Sequence, residues 1–216
     1  MKKIYIGQKI SSNDTTLKKI SNLLIRGKVG VLPTATIYGL SCVYNDEDAV
    51  KKIYSIKRRK SGTPFIVLVS SLSQLGMLAG EINDPVKKLI AKYWDTKKPY
   101  PLTLILLKNK STSSFITGGR STIAIRMAGL KTIRDIIDQT GPIVSTSATL
   151  SGTMVQPRTL DEIPGEIKRE ADFVVDYGSN LGGMESTIVD LTGKEPILLR
   201  QGALDYEDIL RNLYDY

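Results

Sequence analysis

The sequence predicts an α/β protein: a single domain over residues 1–216 with a twisted, mixed sheet of parallel and antiparallel strands, flanked by helices. Predicted strands and helices alternate in the early part of the chain, as in proteins that place helices against a sheet. Predicted strands cluster late, which favours a mixed sheet over a purely parallel one. The 216 residues, 41% hydrophobic and 24% charged, have the length and balance of one domain with a single core.

The strands are predicted from continuous apolar runs and from alternation of apolar and polar residues. The run at residues 29–32 ends at Pro33, which has no N–H to donate to a neighbouring strand. The polar stretch 108–119 is predicted to be a mobile loop. Strands are predicted at residues 3–6, 29–32, 65–69, 103–107, 122–126, 143–145, 173–176, 187–191 and 197–200.

The helices are predicted from apolar stripes and from capping residues. Asn13 or Asp14 can cap the first helix, and Gly27 suits its end. Asp46 begins the second helix, and a Gly141-Pro142 pair ends the fifth. Helices are predicted at residues 15–26, 46–59, 72–78, 85–93, 131–139 and 205–214.

Charge and missing residue types restrict the chemistry. The chain has 30 Lys+Arg and 22 Asp+Glu, a net charge of +8, which favours anionic partners such as nucleotides, phosphates or RNA. It has no histidine, so imidazole acid–base catalysis and histidine-based metal sites are excluded. Cys42 is the single cysteine, which rules out an internal disulfide. Because no apolar run could span a bilayer or form a secretory signal, we expect a cytoplasmic protein without membrane contact.

A run of four cations at residues 57–60 is predicted to close the second helix, where the helix dipole favours positive charge. Lys57 follows Val50, Ile53 and Tyr54 on the apolar face of that helix, so we expect its side chain at the edge of the core. A lysine point charge and the bidentate fork of Arg59 would suit a polyphosphate. A solvated helix end is the alternative.

Hydroxyl groups follow two predicted strands. Thr34, Thr36 and Tyr38 come after strand 29–32, at the position where open α/β sheets bind ligands. Residues 145–152 (Ser-Thr-Ser-Ala-Thr-Leu-Ser-Gly) would offer N–H and O–H donors to a phosphate. An ordinary turn and a serine-rich helix cap are the alternatives. Neither a Walker motif nor a Gly-x-Gly-x-x-Gly motif is present, so any ATP site differs from a P-loop.

Arginine ends the predicted strand 122–126. Alternation along that strand puts Thr122, Ala124 and Arg126 on one face. A guanidinium is the suitable group for a planar carboxylate. The alternative is an arginine that reaches solvent from a strand end.

These segments, in their order along the chain, resemble the YrdC/TsaC family of L-threonylcarbamoyladenylate synthases. The resemblance also covers Ser-Thr-Ile-Val-Asp at 186–190 and the closing strand with Arg200. It implies a single YrdC-like domain that forms threonylcarbamoyl-AMP and pyrophosphate from L-threonine, bicarbonate and ATP, with Mg²⁺ carried by ATP. The product would serve threonylcarbamoyladenosine modification of tRNA. The implied partners are tRNA or double-stranded RNA, and the proteins that use the product in tRNA modification.

The resemblance also implies roles for individual residues. Lys57 and Arg59 would be the catalytic residues. The implied ATP-binding residues are Lys57, Arg59, Thr63, Thr122, Ser147, Thr149 and Arg200. The implied threonine-binding residues are Thr34, Thr36, Tyr38, Arg126, Ser145 and Ser186.

Three positions depart from the family pattern. Thr149 stands where the family has its signature asparagine, Thr63 stands where the family often has asparagine, and Leu68 stands where several relatives have histidine. Thr149 matters most, because threonine lacks the amide of asparagine. Two other functions therefore remain open. One is a paralogue of the YciO type with altered activity, and the other is a non-catalytic RNA-binding module with salt-sensitive affinity.

Overall fold

The computed structural model describes residues 2–5, 14–153, 155–178 and 181–214. Ten strands form one sheet in this part of the chain. The strands are β1 (Lys2–Tyr5), β2 (Gly30–Pro33), β3 (Tyr38–Val43), β4 (Ile66–Val69), β5 (Leu102–Leu107), β6 (Thr122–Met127), β7 (Ile143–Ser147), β8 (Phe173–Asp176), β9 (Thr187–Asp190) and β10 (Ile197–Arg200). The helices are α1 (Thr15–Ile25), α2 (Glu47–Lys57), α3 (Leu72–Leu78), α4 (Asp84–Leu89), α5 (Ser114–Thr117), α6 (Lys131–Thr140), α7 (Gly165–Glu170) and α8 (Tyr206–Tyr214), and a π-helical turn (Ile90–Trp94) continues α4.

The sheet is mixed, which confirms the predicted fold class. Its strand order is β1-β8-β2-β3-β7-β4-β6-β5-β9-β10. Strand β8 is parallel to β1 and β2, β4 is parallel to β6, and β5 is parallel to β9. The other neighbouring pairs are antiparallel. As a result, β3, β7, β4 and β6 lie side by side at the centre although they are far apart in sequence.

Helices cover both faces of the sheet. The apolar residues of α1 and α6 pack on one face, and those of α2, α3, α4, α7 and α8 pack on the other. Side chains of a strand alternate between faces, so Leu68 packs with α1 and α6 whereas Val67 and Val69 pack opposite. No helix in the described residues has the length and apolar character that crossing a membrane requires.

The face that carries α1 and α6 is only partly covered. Ile66 lies two residues before Leu68 and Ser145 two residues after Ile143, so both point to this same face. Both line an open cavity beyond the two helices. The sheet therefore provides a floor for a binding site where the helical layer ends.

The helix start at Asp14 is confirmed, since its side chain accepts a hydrogen bond of 2.6 Å from the backbone N–H of Thr16. Asn13, the other candidate cap, and Ile6, the last residue of the predicted strand 3–6, lie outside the described residues. Helices α5 and α7 were not expected, and the first of them falls within the predicted loop 108–119. Four and six residues are too few to give a helical period in the sequence.

The sequence predicts no strand at residues 38–43, where the structure has β3. The turn before it is closed by Thr34, whose backbone N–H and Oγ1 donate to the carbonyl of Ile37 at 3.2 and 2.6 Å. Pro33 and Tyr38 then pair as the first residues of a β2–β3 hairpin. Gly39 is therefore a strand residue, and the turn lies at residues 34–37. All six residues of β3 are buried, so no polar alternation marks the strand.

Gly39 is required by a close approach between strands. A Cβ atom at this position would lie 2.5 Å from Ser145 Oγ and 3.3 Å from the carbonyl of Thr146. We expect Gly39→Ala to lower the free energy of unfolding by about 1–3 kcal/mol, because overpacking forces these strands apart. The matched control is Gly76→Ala in α3, where nothing lies within 4 Å of the new atom and alanine should stabilise by about 0.5–1 kcal/mol. Urea denaturation measures the free energy of unfolding of both variants. Equal values for Gly39→Ala and Gly76→Ala would contradict the close approach.

Candidate functional site

A cavity of about 340 Å³ lies at the centre of the sheet. The ends or faces of β3, β4, β5, β6, β7, β9 and β10 contribute to its wall. Its charged lining residues are Arg59, Arg120, Arg126, Arg200 and Glu185. Its hydroxyl-bearing lining residues are Thr34, Thr36, Ser145, Thr146 and Ser147. Four guanidinium groups against one carboxylate give the described lining a strong preference for anions.

Arg126 is the most deeply buried cation of the cavity, with 8% of its surface exposed. Its Nη1 donates to Thr36 Oγ1 at 3.3 Å, and Thr36 Oγ1 lies 3.0 Å from Thr34 Oγ1. Burial, and secondarily the nearby charge of Arg200, lowers the pKa of Arg126 to about 10. No described carboxylate forms an ion pair with it. An unpaired buried cation of this kind is suited to an anionic ligand.

Arg59 reaches the cavity because of an unusual helix end. Helix α2 stops at Arg58, which adopts the left-handed conformation with φ of 50°. The guanidinium of Arg59 donates to Thr146 Oγ1 at 3.2 Å and to the carbonyl of Pro64 at 3.0 Å. It stacks over Phe65 at 5.0 Å from the ring centre, and burial lowers its pKa. Its Nε is buried without a hydrogen-bond partner among the described residues.

Lys57 is almost fully buried, with 2% of its surface exposed, as its place on the apolar face predicts. Its ammonium donates to the carbonyls of Ser147 and Thr149 at 2.5 and 2.6 Å, and lies 3.3 Å from Ser147 Oγ. Burial, and secondarily the charge of Arg59, lowers the pKa of Lys57 to about 8. Its side chain does not line the cavity. In this structure the ammonium holds the turn after β7 in place.

Glu185 and Arg200 form the one ion pair among the described lining residues, with 2.9 Å between Oε2 and Nη1. The same guanidinium donates from Nη2 to Ser186 Oγ and from Nε to the Ser186 carbonyl, both at 3.0 Å. Ser186 Oγ lies 2.7 Å from Thr103 Oγ1 in the adjacent strand β5. Arg200 is therefore fixed by three contacts before any ligand arrives.

The structure divides the predicted site residues into three groups. Those that line the cavity are Thr34, Thr36, Arg59, Arg126, Ser145, Ser147 and Arg200. Those that lie behind it and hydrogen-bond a lining residue are Lys57, Thr149 and Ser186. Those that neither line it nor bond a lining side chain are Tyr38, Thr63 and Thr122.

Tyr38 does not offer its hydroxyl at a crevice mouth, contrary to the prediction. It alternates with Gly39 in β3 and so points to the opposite face, where 1% of it is exposed. Its hydroxyl accepts a hydrogen bond of 3.1 Å from the backbone N–H of Tyr177, and burial raises its pKa. Thr63 instead donates from Oγ1 to the carbonyl of Lys60 at 2.8 Å. Thr122 lies at the start of β6, two positions before the lining residue Ala124.

The sequence did not point to two charged residues of the cavity, Arg120 and Glu185. Thr146, which also lines the cavity, belongs to the predicted hydroxyl run 145–152. Arg120 is exposed and lies two residues before β6. Its position close to a strand that carries a predicted ligand-binding arginine is the signal that the sequence offers. Glu185 precedes the Ser-Thr-Ile-Val-Asp segment. Its pairing with Arg200, 15 positions later in the sequence, has no signature in either segment alone.

Comparisons of the sequence and of the structure with known proteins identify the same family. The Sua5/YciO/YrdC family, described as telomere recombination, matches residues 22–202. A threonylcarbamoyl-AMP synthase of Pyrococcus abyssi is 36% identical over 184 residues, which are 85% of this chain and 53% of that protein. A threonylcarbamoyl-AMP synthase of Bacillus subtilis is 35% identical over 206 residues, which are 94% of this chain and 58% of that protein. The chain thus spans little more than half the length of these curated relatives.

A solved structure gives the same result. P. abyssi Sua5 complexed with L-threonine superposes with a TM-score of 0.90 at 32% identity, covering 99% of this chain and 61% of that one. The match extends over the whole sheet and over both helical layers. The chain belongs to the Sua5/YciO/YrdC family.

Proposed function

We propose that the protein is an L-threonylcarbamoyladenylate synthase, which makes threonylcarbamoyl-AMP and pyrophosphate from L-threonine, bicarbonate and ATP. The observation that carries the proposal is Arg126, a buried guanidinium that faces an open cavity without an ion-pair partner. It would bind the carboxylate of threonine, with Thr36 and Ser145 orienting the amino acid. A relative of the same fold has been solved with L-threonine bound.

The remaining arginines would hold the triphosphate. Arg59, Arg120 and Arg200 line the same cavity as Arg126. Lys57 would act indirectly, because its ammonium fixes the carbonyls of the turn at Ser147. Mg²⁺ would be carried by the phosphates of ATP, as the resemblance to the family implies. Such an ion would neutralise phosphate charge.

The proposed chemistry needs no histidine. A carbamate formed from threonine's amine and bicarbonate attacks the α-phosphorus of ATP through its oxygen. The bond from that phosphorus to the bridging oxygen breaks, and pyrophosphate leaves. Because the nucleophile is already an anion, the protein contributes by positioning it and by neutralising the charge of the phosphates. This agrees with a cavity that offers cations and hydroxyls.

Transfer of the product to tRNA, and contacts with tRNA or double-stranded RNA, are part of the same proposal. The net charge of +8 supports an RNA contact. The cytoplasm is the compartment in which we expect the reaction.

The decisive experiment is pyrophosphate release by the protein with threonine, labelled bicarbonate, ATP and Mg²⁺. We expect release only when threonine and bicarbonate are both present, together with labelled threonylcarbamoyl-AMP. Release without threonine, or no release, would contradict the proposal. Salt-sensitive RNA binding without turnover would instead support the RNA-binding module, and ATP binding without adenylate formation would support a YciO-type paralogue.

Thr149 provides a test of the departure from the family pattern. It is buried, its Oγ1 lies 3.0 Å from Ser147 Oγ, and its carbonyl accepts from Lys57. Thr149→Asn should preserve or tighten ATP affinity, because asparagine offers both a donor and an acceptor. Thr149→Val is the matched control: it keeps the shape, loses the hydroxyl, and should weaken binding. Calorimetric titration with a non-hydrolysable ATP analogue and Mg²⁺ decides, and no binding by wild type or Thr149→Asn would exclude a nucleotide site here.

A further inference from the structure

Glu185 is the one carboxylate among the described residues that line the cavity. Its Oε2 pairs with Arg200, whereas its Oε1 has no hydrogen-bond donor in the described part of the chain. The side chain is 26% exposed, and the residue lines the cavity. An anion-binding cavity thus contains one acceptor group whose second oxygen is available.

The backbone holds Glu185 firmly. Its carbonyl accepts a hydrogen bond of 3.0 Å from Ala203 N–H. Gly202 approaches so closely that a Cβ atom there would lie 2.5 Å from the Glu185 carbonyl oxygen and 2.4 Å from the Ser186 carbonyl carbon. Because Ser186 is fully buried and bonded to Arg200 and Thr103, the carboxylate is built into the framework of the sheet.

The charges of the cavity match those of a free amino acid. Such a ligand has a carboxylate and an ammonium on the same carbon, so its site needs a cation and an anion close together. Arg126 is the buried cation without an ion pair, and Glu185 is near enough for its charge to counteract the lowering of the Arg126 pKa. The other charged lining residues are arginines, which would repel an ammonium.

We propose that Glu185 binds the α-ammonium of the amino-acid substrate through its free carboxylate oxygen. This inference rests on the proposed function and names the residue that selects a free α-amino acid over an acid without the amine. The ammonium first gives one proton to solvent, and the free amine then forms the nitrogen–carbon bond with bicarbonate as one water leaves. The nitrogen then carries an anionic carbamate, which Glu185 repels. Arg200, 2.9 Å from the Glu185 carboxylate, is the adjacent cation able to receive it.

The test is calorimetric titration of Glu185→Gln with three ligands, without ATP, so that binding is measured independently of turnover. Threonine should bind about 10- to 100-fold more weakly, the value of a hydrogen bond to a charged group. The analogue 2,3-dihydroxybutyrate, which has a hydroxyl in place of the ammonium, should bind at least as tightly as to wild type. Pyrophosphate should bind more tightly, because the cavity loses its one described negative charge.

Glu170→Gln at the exposed end of α7 is the control, and it should leave all three affinities unchanged. A damaged cavity would weaken the binding of both threonine and pyrophosphate. It therefore cannot explain weaker threonine binding together with tighter pyrophosphate binding. Equal losses for threonine and the dihydroxy acid, or unchanged threonine affinity, would overturn the inference. If wild type binds another α-amino acid instead of threonine, with the same dependence on Glu185, the proposed reaction fails and the ammonium site stands. If it binds no amino acid at all, both fail.

Discussion

Arg126→Met is expected to make the protein more stable while it loses threonine binding and turnover. The buried guanidinium has one described hydrogen-bond partner, Thr36, and no ion pair, and its lowered pKa reflects the cost of its burial. Replacing a buried ionic group with an apolar side chain of similar size is often neutral or stabilising by about 1–4 kcal/mol. Loss of the contact to the substrate carboxylate should cost about 2–5 kcal/mol, roughly 30- to 5,000-fold in kcat/KM.

Arg134→Met is the matched control for this prediction. Arg134 donates to the carbonyls of Ala128, Gly129 and Lys97 at 2.8, 3.0 and 3.1 Å, and it does not line the cavity. Its loss should destabilise the fold and leave threonine affinity unchanged. Thermal unfolding and calorimetry separate the two variants. A destabilised Arg126→Met that still binds threonine would mean that Arg126 has a structural role.

Lys57→Met should reduce both activity and stability. The substitution keeps the buried stem but leaves the carbonyls of Ser147 and Thr149 without their donor, at a cost of about 1–3 kcal/mol for each. The turn after β7 would then shift, and with it Ser147, which lines the cavity. We expect a fall in kcat/KM of at least about 30-fold, the lower end for removal of a buried charged contact. Steady-state kinetics and urea denaturation measure the two effects.

Lys60→Met is the control from the same basic run, because Lys60 is exposed. It should behave as wild type, and equal effects of both substitutions would mean that the run is merely a solvated helix end.

A second measurement follows the stability of wild type and Lys57→Met as the pH is changed. The pKa of Lys57 is lowered from 10.5 to about 8, so the unfolded chain binds more protons between these values. Wild type should therefore gain stability relative to Lys57→Met as the pH rises from about 8 to 10.5.

Most strands and the longer helices could be predicted, because the periodicity of apolar residues and the helix-capping residues are local properties of the sequence. The burial of Lys57 followed from its position on an apolar stripe, and the shared face of Ala124 and Arg126 followed from alternation. Strand β3 could not be predicted, because a fully buried strand shows no alternation. Tyr38 was placed at the wrong face for the same reason.

The sequence by itself determined the chemistry that the protein can use: arginine, lysine, hydroxyls and carboxylates, with no imidazole. It also determined which segments resemble the family. Only the tertiary structure decided which groups meet. Lys57 finds its carbonyl acceptor on Ser147, 90 residues away, and Glu185 finds Arg200 across the β9–β10 connection. The free energy of a charged side chain depends on its hydrogen-bond and ion-pair partners and on how deeply it is buried. Both depend on the order in which distant strands pair in the sheet.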